Sequence, residues 1–343
     1  MKRGIVIMKK ITVLGSGSWG STLANILAEN DYEVCLYGIE EDVAAEINNL
    51  QTNSKYLANF KFSKPITATT DLAEAVKDAS GILFVIPTAA IVSVSKQLKP
   101  LLSTANNPIL MSATKGIEPG TKRIVSQIIE QEFDKSVVDN MVVISGPSHA
   151  ENASQKDLTT LSVASYNEEN AKTVQQMFTR DYVRLYTNSD PIGVEVGGAI
   201  KNVLALAAGM IAGKGYEINA LAALITRGIR ELALVGEALG GQKETFYGLS
   251  GIGDLIVTAS SSNSRNWRAG KQLAEGKSLD DVVNNMGMVV EGVKTAQAVH
   301  ELAEELNLDL PISEAVYRVL YEQTEVEVEI TNMMHRPLKR EFQ

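Results

Sequence analysis

The sequence contains a single cysteine, Cys35, among 343 residues, and only three histidines. One thiol cannot form an intramolecular disulfide or a cysteine-cluster zinc or iron–sulfur site. A chain of this length can bury a core that needs no such cross-links. We therefore expect a reducing compartment, the cytoplasm, and no metal.

Long apolar runs and an excess of basic residues are also absent. No stretch approaches the ~20 consecutive apolar residues of a membrane span, and the most apolar segment, residues 203–212, is interpreted as a buried helix. The chain has 32 basic and 41 acidic residues and a net charge of −9, which argues against a general nucleic-acid binder. Small anionic ligands remain compatible with this charge, because a few well-placed cations can bind them locally.

The hydrophobic pattern divides the chain into two halves. In the first half, short β-branched runs alternate with segments of helical period, which predicts an α/β fold with an N-terminal Rossmann-like doubly wound sheet. Parallel strands are expected at residues 11–14, 33–37, 81–86, 108–112 and 141–144, further strands at 161–164 and 183–186, and helices at 20–30 and 121–133.

After a turn at residues 187–192 the pattern becomes helical, which predicts an all-α C-terminal domain. The expected organisation is a disordered extension at residues 1–8, a dinucleotide-binding domain at 9–188 and a helical substrate-binding domain at 189–343.

The strongest local signal is the motif GSGSWG, which follows a predicted strand and opens a predicted helix. Gly15 permits the tight turn, Gly17 lets the backbone approach a pyrophosphate, and Gly20 lets the helix pack on the strand. A second strand about twenty residues further on completes the unit. The motif therefore predicts a dinucleotide site, with a plain glycine turn as the alternative.

The end of the second strand is where NAD and NADP are usually distinguished. The segment from Leu36 to Glu41 has no Arg or Lys to hold a 2′-phosphate, whereas Glu40 could accept a hydrogen bond from the 2′-hydroxyl of NAD. Glu40 fits equally well as a solvated residue at the start of the next helix. NAD or NADP is expected as the cofactor, with NAD favoured.

Two further loops follow predicted strands, SATKG at residues 112–116 and SGPSHA at 145–150. Ligands of open α/β sheets collect outside the carboxyl ends of the strands, so Lys115 and the turn at 146–150 are candidate ligand contacts. A lysine on a loop can also simply be solvated. His149 is interpreted as a lining residue rather than a general base.

The helical half contains three polar motifs. In GGAIKN, Lys201 lies among small and apolar residues and either reaches solvent or lines a cleft, where desolvation would lower its pKa and suit it to proton transfer. GIGDL places Asp254 after a glycine turn, with a helix N-cap as the alternative role. NSRN offers Arg265 and neighbouring polar groups to a phosphate, with a solvated face as the alternative.

Together, GSGSWG, SATKG, SGPSHA, GGAIKN, ALITRG, GIGDL, NSRN and VVEG closely resemble, in order and spacing over residues 10–325, bacterial NAD(P)-dependent glycerol-3-phosphate dehydrogenases. The resemblance implies reversible hydride transfer between a nicotinamide cofactor and C2 of dihydroxyacetone phosphate, giving sn-glycerol 3-phosphate for phospholipid synthesis. It also implies a homodimer. Two alternatives remain: a related hydroxyacid reductase, which should lack the SRN motif, and a non-enzymatic nucleotide sensor, which has no need of the two lysines.

The resemblance assigns roles by position in the motifs. Lys201 would be the general acid/base, Asp254 and Thr258 would orient it and the substrate, and Lys115 would stabilise the substrate oxygen. The residues implied to bind substrate are Lys115, Gly146, Ser148, Lys201, Asp254, Ser264, Arg265 and Asn266. Those implied to bind the cofactor are Gly15, Gly17, Ser18, Trp19, Gly20, Ile39, Tyr56, Lys115, Ala150, Arg265, Val289 and Glu291. Because Ile39 is apolar where many members carry a basic residue, NADH is expected to support turnover at least comparably to NADPH.

Overall fold

The structure is a computed structural model that describes residues 9–102, 108–287 and 289–341. The chain divides into two units, one within residues 1–115 and 123–195 and the other within 116–122 and 196–343. The division falls after Glu195, whereas the sequence pattern places the boundary after residue 188. The functional names of the two domains stay a prediction, and the extension expected at residues 1–8 lies outside the described residues.

An eight-stranded sheet forms the centre of the first unit. Its strands are β1 Lys10–Leu14, β2 Glu33–Tyr37, β3 Thr67–Thr69, β4 Gly81–Phe84, β5 Ile109–Ser112, β6 Val142–Ser145, β7 Thr159–Ala164 and β8 Val183–Asn188. Their order across the sheet is β3-β2-β1-β4-β5-β6-β7-β8. All neighbours are parallel except β6 and β7. The predicted doubly wound fold is confirmed. The chain adds strands β2 and β3 on one side of β1 and strand β4 onward on the other, and such sheets bind ligands at this switch point between β1 and β4.

Both faces of the central strands β1, β4, β5 and β6 are buried, which explains why these strands are almost continuously apolar. The edge strand β8 alternates between buried and exposed residues over its first four positions. Leu83 belongs to the cluster of buried side chains on one face, and its neighbours Ile82 and Phe84 belong to the cluster on the other. Cys35 is buried in the second cluster, and burial raises the pKa of its thiol. Helices of the first unit, and the loop between α2 and β3, supply most of the remaining side chains of the two clusters.

These helices are α1 Ser18–Glu29, α2 Glu41–Leu50, α3 Leu72–Val76, α4 Ile91–Leu98, α5 Val125–Glu130, α6 Lys135–Val138, α7 Ala150–Ser154 and α8 Glu168–Phe178. The helix predicted at 121–133 is wrong in its bounds, because only α5 forms there. Lys122 has a φ of +58°, which a right-handed helix cannot contain.

The second unit is built from helices, and no strand follows β8 in the part of the chain that the structure describes. Its helices are α9 Pro191–Gly213, which begins in the first unit, α10 Ile218–Ala238, α11 Asp254–Ala259, α12 Arg265–Ala274, α13 Leu279–Asn285, α14 Glu291–Leu306, α15 Pro311–Tyr321 and α16 Val326–Met334. The predicted all-α domain is confirmed.

The helix α9 is long and apolar. By length and composition alone it could cross a membrane, with a mean hydropathy of 1.5 in its most apolar window. The structure buries 83% of that window, as it would the core helix of a globular protein.

Candidate active site

The glycine-rich loop joins β1 to α1. Gly15 has a φ of +122°, and a Cβ on it would lie 2.3 Å from the carbonyl oxygen of Val85. A Cβ on Gly20 would lie 1.9 Å from the carbonyl oxygen of Gly15. In contrast, no atom of the described residues lies within 4 Å of the position that a Cβ on Gly17 would take. The loop therefore has a tight turn, a close helix contact and an open cradle at the start of α1, which fits a dinucleotide pyrophosphate.

A segment between α2 and β3 is hydrogen-bonded to this loop. The Asn53 amide donates from Nδ2 to the carbonyl oxygen of Ser16 and to the Ser21 hydroxyl, at 2.8 Å in both cases. The Ser18 hydroxyl donates to the carbonyl oxygen of Tyr56 at 2.7 Å. Two predicted cofactor contacts, Ser18 and Tyr56, are therefore brought together, and Asn53, which belongs to no sequence motif, is a positioning residue.

Glu40 lies just after β2 and immediately precedes α2. Its carboxylate accepts a hydrogen bond from the Tyr56 hydroxyl at 2.6 Å and another from the Lys55 ammonium. These two donors, Lys55 first, hold the pKa of the Glu40 carboxyl below its usual range. Ile39, a predicted cofactor contact, is 86% exposed. The cation at this strand end, Lys55, is fifteen residues further along the chain than Glu40, outside the segment from Leu36 to Glu41.

The loops that follow β5 and β6 also meet. Lys115 follows β5, and its Nζ donates to the carbonyl oxygen of Gly146 at 3.4 Å. The Ser148 hydroxyl donates to the same carbonyl oxygen at 3.0 Å. Ala150 begins α7, and its carbonyl oxygen accepts from the Thr22 hydroxyl of α1 at 3.3 Å. The first unit thus gathers these predicted contacts at the carboxyl ends of its strands, next to the glycine-loop helix.

In the second unit, the central group is Lys201 on α9. Gly197 lies one turn earlier, and a Cβ there would lie 2.5 Å from the carbonyl oxygen of Ser250. This close approach brings the same face of α9 to Asp254, the first residue of α11. The Lys201 ammonium donates to Asp254 Oδ1 at 2.5 Å and to Thr258 Oγ1 at 2.8 Å.

All three side chains are buried, with 6% exposure for Lys201, 0% for Asp254 and 4% for Thr258. Gly253, not Asp254, occupies the N-cap of α11, so the alternative role as a helix cap is wrong. The Thr258 hydroxyl donates to the carbonyl oxygen of Asp254 at 2.6 Å, which turns its oxygen lone pairs toward Lys201. A buried ammonium needs such partners, because an unpaired buried charge is costly.

Asn266, from the SRN motif, links three elements. Its Nδ2 donates to Asn202 Oδ1 at 3.0 Å, and Asn202 is the residue after Lys201 on α9. Its Oδ1 accepts from the backbone N–H of Gly292, in the first turn of α14, at 2.9 Å. The predicted phosphate contact therefore also holds the start of α14 against α9.

The other two residues of this motif lie at the start of α12. Ser264 is the N-cap, and its hydroxyl oxygen accepts from the backbone N–H of Trp267 at 3.2 Å. Arg265 is exposed and donates to the carbonyl oxygen of Val289 at 3.1 Å. Glu291, another predicted cofactor contact, begins α14. Over the described residues, no group of three or more His, Cys, Asp or Glu side chains could hold a metal ion.

Comparison with known proteins identifies the family. Residues 10–171 match the model of the NAD-dependent glycerol-3-phosphate dehydrogenase N-terminus, and residues 190–331 match that of the C-terminus. A Lactobacillus acidophilus protein named as an NAD(P)+ glycerol-3-phosphate dehydrogenase is 56% identical over 337 residues, which cover 98% of this chain and 99% of the relative. The chain belongs to the NAD-dependent glycerol-3-phosphate dehydrogenase family.

Solved structures of glycerol-3-phosphate dehydrogenases have a similar fold to this chain. The Coxiella burnetii enzyme is 34% identical with a TM-score of 0.90, over 96% of this chain and 99% of that one. The Saccharomyces cerevisiae enzyme is 28% identical with a TM-score of 0.80, over 96% of this chain and 100% of that one. Membership of the dehydrogenase family confirms the predicted oxidoreductase class and the use of NAD or NADP, and it sets the two alternative functions aside.

Proposed function

We propose that the protein catalyses reversible hydride transfer between NAD(P)H and dihydroxyacetone phosphate, giving sn-glycerol 3-phosphate, with Lys201 as the general acid/base. The observation that carries the proposal is the buried Lys201 ammonium, held by Asp254 and Thr258 in a chain of this family. The nicotinamide ring, when bound, supplies or accepts the hydride.

Reduction of a ketone builds negative charge on its oxygen, which must then gain a proton. The Lys201 ammonium meets both needs, because it stabilises the developing charge and donates the proton. Asp254 and Thr258 fix the direction of Lys201 Nζ, so little reorganisation is needed at the moment of transfer. In the reverse direction, neutral Lys201 takes the proton from the hydroxyl group.

The phosphate of the substrate is proposed to bind at the start of α12. Arg265 provides a guanidinium that can form two parallel hydrogen bonds, and the first turn of α12 provides backbone N–H groups. Binding energy from this remote group can be used to orient the reacting carbon. The roles assigned to Ser264 and Asn266 at the phosphate stay predictions beside their structural contacts.

The cofactor is proposed to lie over the loop from Gly15 to Gly20, with Ser18, Trp19 and Tyr56 beside it. The roles that the resemblance implies for the remaining positions stay predictions: Ile39, Lys115, Gly146, Ser148, Ala150, Val289 and Glu291. The cytoplasmic location, the homodimer and the supply of sn-glycerol 3-phosphate to phospholipid synthesis are likewise proposed.

A coupled set of measurements tests the proposal. Purified protein should consume NADH on addition of dihydroxyacetone phosphate, as followed by nicotinamide absorbance. Lys201→Met should lower kcat by about 10²–10⁴-fold and leave NADH affinity within about twofold, because a general acid acts in the chemical step. Lys214→Met, an exposed lysine just beyond α9, is the matched control and should behave as wild type. Absence of NADH consumption would refute the reaction, and near-normal kcat in Lys201→Met would refute the assigned acid.

A further inference from the structure

We propose that Glu40 and Lys55 together select the adenosine ribose of the cofactor. The Glu40 carboxylate accepts a hydrogen bond from the 2′-hydroxyl of NAD, and the Lys55 ammonium binds the 2′-phosphate of NADP. The inference rests on the proposed function only in taking the glycine-rich loop as the pyrophosphate site.

The first support is the fixed position of the segment that carries Lys55. Asn53 binds Ser16 and Ser21, and Ser18 binds the Tyr56 backbone, so this segment is hydrogen-bonded to the glycine-rich loop on both sides of Lys55. In a dinucleotide the adenosine ribose follows directly on the pyrophosphate, and in this fold it lies at the end of the second strand. Lys55 therefore contacts Glu40 at the place where a 2′-substituent is expected.

The second support is the chemistry of the pair. Glu40 is ionised near neutral pH, because Lys55 and Tyr56 hold its carboxyl pKa below the usual range. A ribose hydroxyl can donate to this carboxylate while the Tyr56 hydroxyl keeps its own bond at 2.6 Å. A 2′-phosphate can instead replace the Glu40 carboxylate as the ionic partner of the Lys55 ammonium, since a lysine binds phosphate as a point charge.

The third support is access. The side chain of Lys55 is 47% exposed and that of Glu40 is 26% exposed, so a ligand can reach both groups from solvent. Binding of NADP costs the separation of the ion pair and places a phosphate near the Glu40 carboxylate, whereas binding of NAD costs neither. The pair therefore permits both cofactors and favours NAD.

Calorimetric titration of NADH and NADPH into the purified protein tests this inference without turnover. Lys55→Ala should weaken NADPH about tenfold and change NADH by less than about twofold, because a charge-assisted bond is lost from one ligand only. Glu40→Gln should tighten NADPH and weaken NADH. Lys64→Ala removes another partly exposed, ion-paired lysine, the partner of Asp31, and should change neither affinity.

Titration with 2′,5′-ADP and 5′-AMP, which differ only in the 2′-phosphate, isolates the contribution of that phosphate. Lys55→Ala should weaken only 2′,5′-ADP, and added salt should reduce the wild-type advantage of that ligand. Equal losses for NADH and NADPH in Lys55→Ala, or no loss for either, would overturn the inference while leaving the proposed reaction intact. A wild-type protein that bound neither dinucleotide would overturn both.

Discussion

Gly197 faces the backbone carbonyl of Ser250 so closely that a methyl group on the glycine would lie 2.5 Å from the carbonyl oxygen. Helix α9 can therefore approach the π-helical segment Leu249–Gly253, directly before α11, only because residue 197 has no side chain. Lys201 is one helical turn further along the same face, where it meets Asp254. The geometry of the proposed proton donor is thus set by a glycine four residues earlier in the same helix, which has no side chain.

Gly197→Ala tests this dependence. The added methyl group must push backbone from backbone, so we expect a loss of about 1–3 kcal/mol in unfolding free energy and a kcat at least about tenfold lower. Gly228→Ala is the matched control, because the nearest atoms to its Cβ, at 2.9–3.4 Å, belong to the side chain of Leu204 and not to backbone. Denaturant unfolding and steady-state kinetics measure the two effects. A Gly197→Ala enzyme with wild-type kcat would show that the close approach does not position Lys201.

Asp254→Asn keeps the shape of the side chain and removes its charge. Without the carboxylate, the buried Lys201 ammonium loses its ionic partner and releases its proton more readily. We expect ketone reduction to fall in kcat, with the alkaline limb of the kcat–pH profile displaced to lower pH. At pH values where Lys201 stays charged, stability should fall by about 3–5 kcal/mol, the cost of an unpaired buried charge. An unmoved alkaline limb would argue that the ionisation of Lys201 does not limit turnover.

The buried carboxyl group of Glu195 predicts how the stability of the protein changes with pH. This carboxyl accepts from the Ser126 backbone N–H at 2.9 Å and from the Ser126 hydroxyl at 2.5 Å. Burial raises its pKa from 4.5 to about 7. Between these values the folded protein holds a proton that the unfolded chain has released, so stability falls as pH rises through this window and then levels off.

Glu195→Gln retains both contacts, because the amide can accept from the backbone N–H and donate to the hydroxyl. Relative to this variant, the wild type should lose up to about 3 kcal/mol of unfolding free energy between pH 4.5 and 7. Urea unfolding at several pH values across the window measures this loss. Parallel curves for the two proteins would contradict a carboxyl that stays protonated to near neutral pH.

Two glycines of the loop after β1 should respond differently to the same substitution. Gly17 has an ordinary φ of −71° and open space beside it, so Gly17→Ala should keep its melting temperature and bind NADH about tenfold or more weakly. Gly20→Ala must displace the Gly15 carbonyl and should lose stability as well as NADH binding. Thermal unfolding and calorimetric titration separate the cases. Equal melting temperatures for the two variants would contradict the packing role of Gly20.

Local signals in the sequence are sufficient to predict most of the fold. The elements that they do not predict correctly have physical causes. The central strands were predictable because strands buried on both faces are almost continuously apolar. The three-residue strand Thr67–Thr69 has too few buried positions to produce that signal. The short helix at Val125–Glu130 was overextended because periodicity does not show the left-handed backbone of Lys122.

The candidate site, too, could be predicted from the sequence only in part. Motifs indicated Lys201 and Asp254 separately, but their contact joins residues 53 apart and depends on helix packing. Lys55 carries no motif and comes from a loop without periodicity. Its position follows only from tertiary contacts, namely its own bond to Glu40 and the hydrogen bonds of its neighbours Asn53 and Tyr56.

The reversal of direction between β6 and β7 has a practical consequence for handling the protein. Strand β7 ends at Ala164, which pairs with Val143 near the start of β6. The turn after β7 therefore lies at the amino ends of the parallel strands, whereas the glycine-rich loop lies at their carboxyl ends. Tyr166 in that turn is 59% exposed. A fluorophore or surface tether attached at residue 166 would therefore leave the cofactor edge open, so immobilised protein could be titrated with dinucleotides.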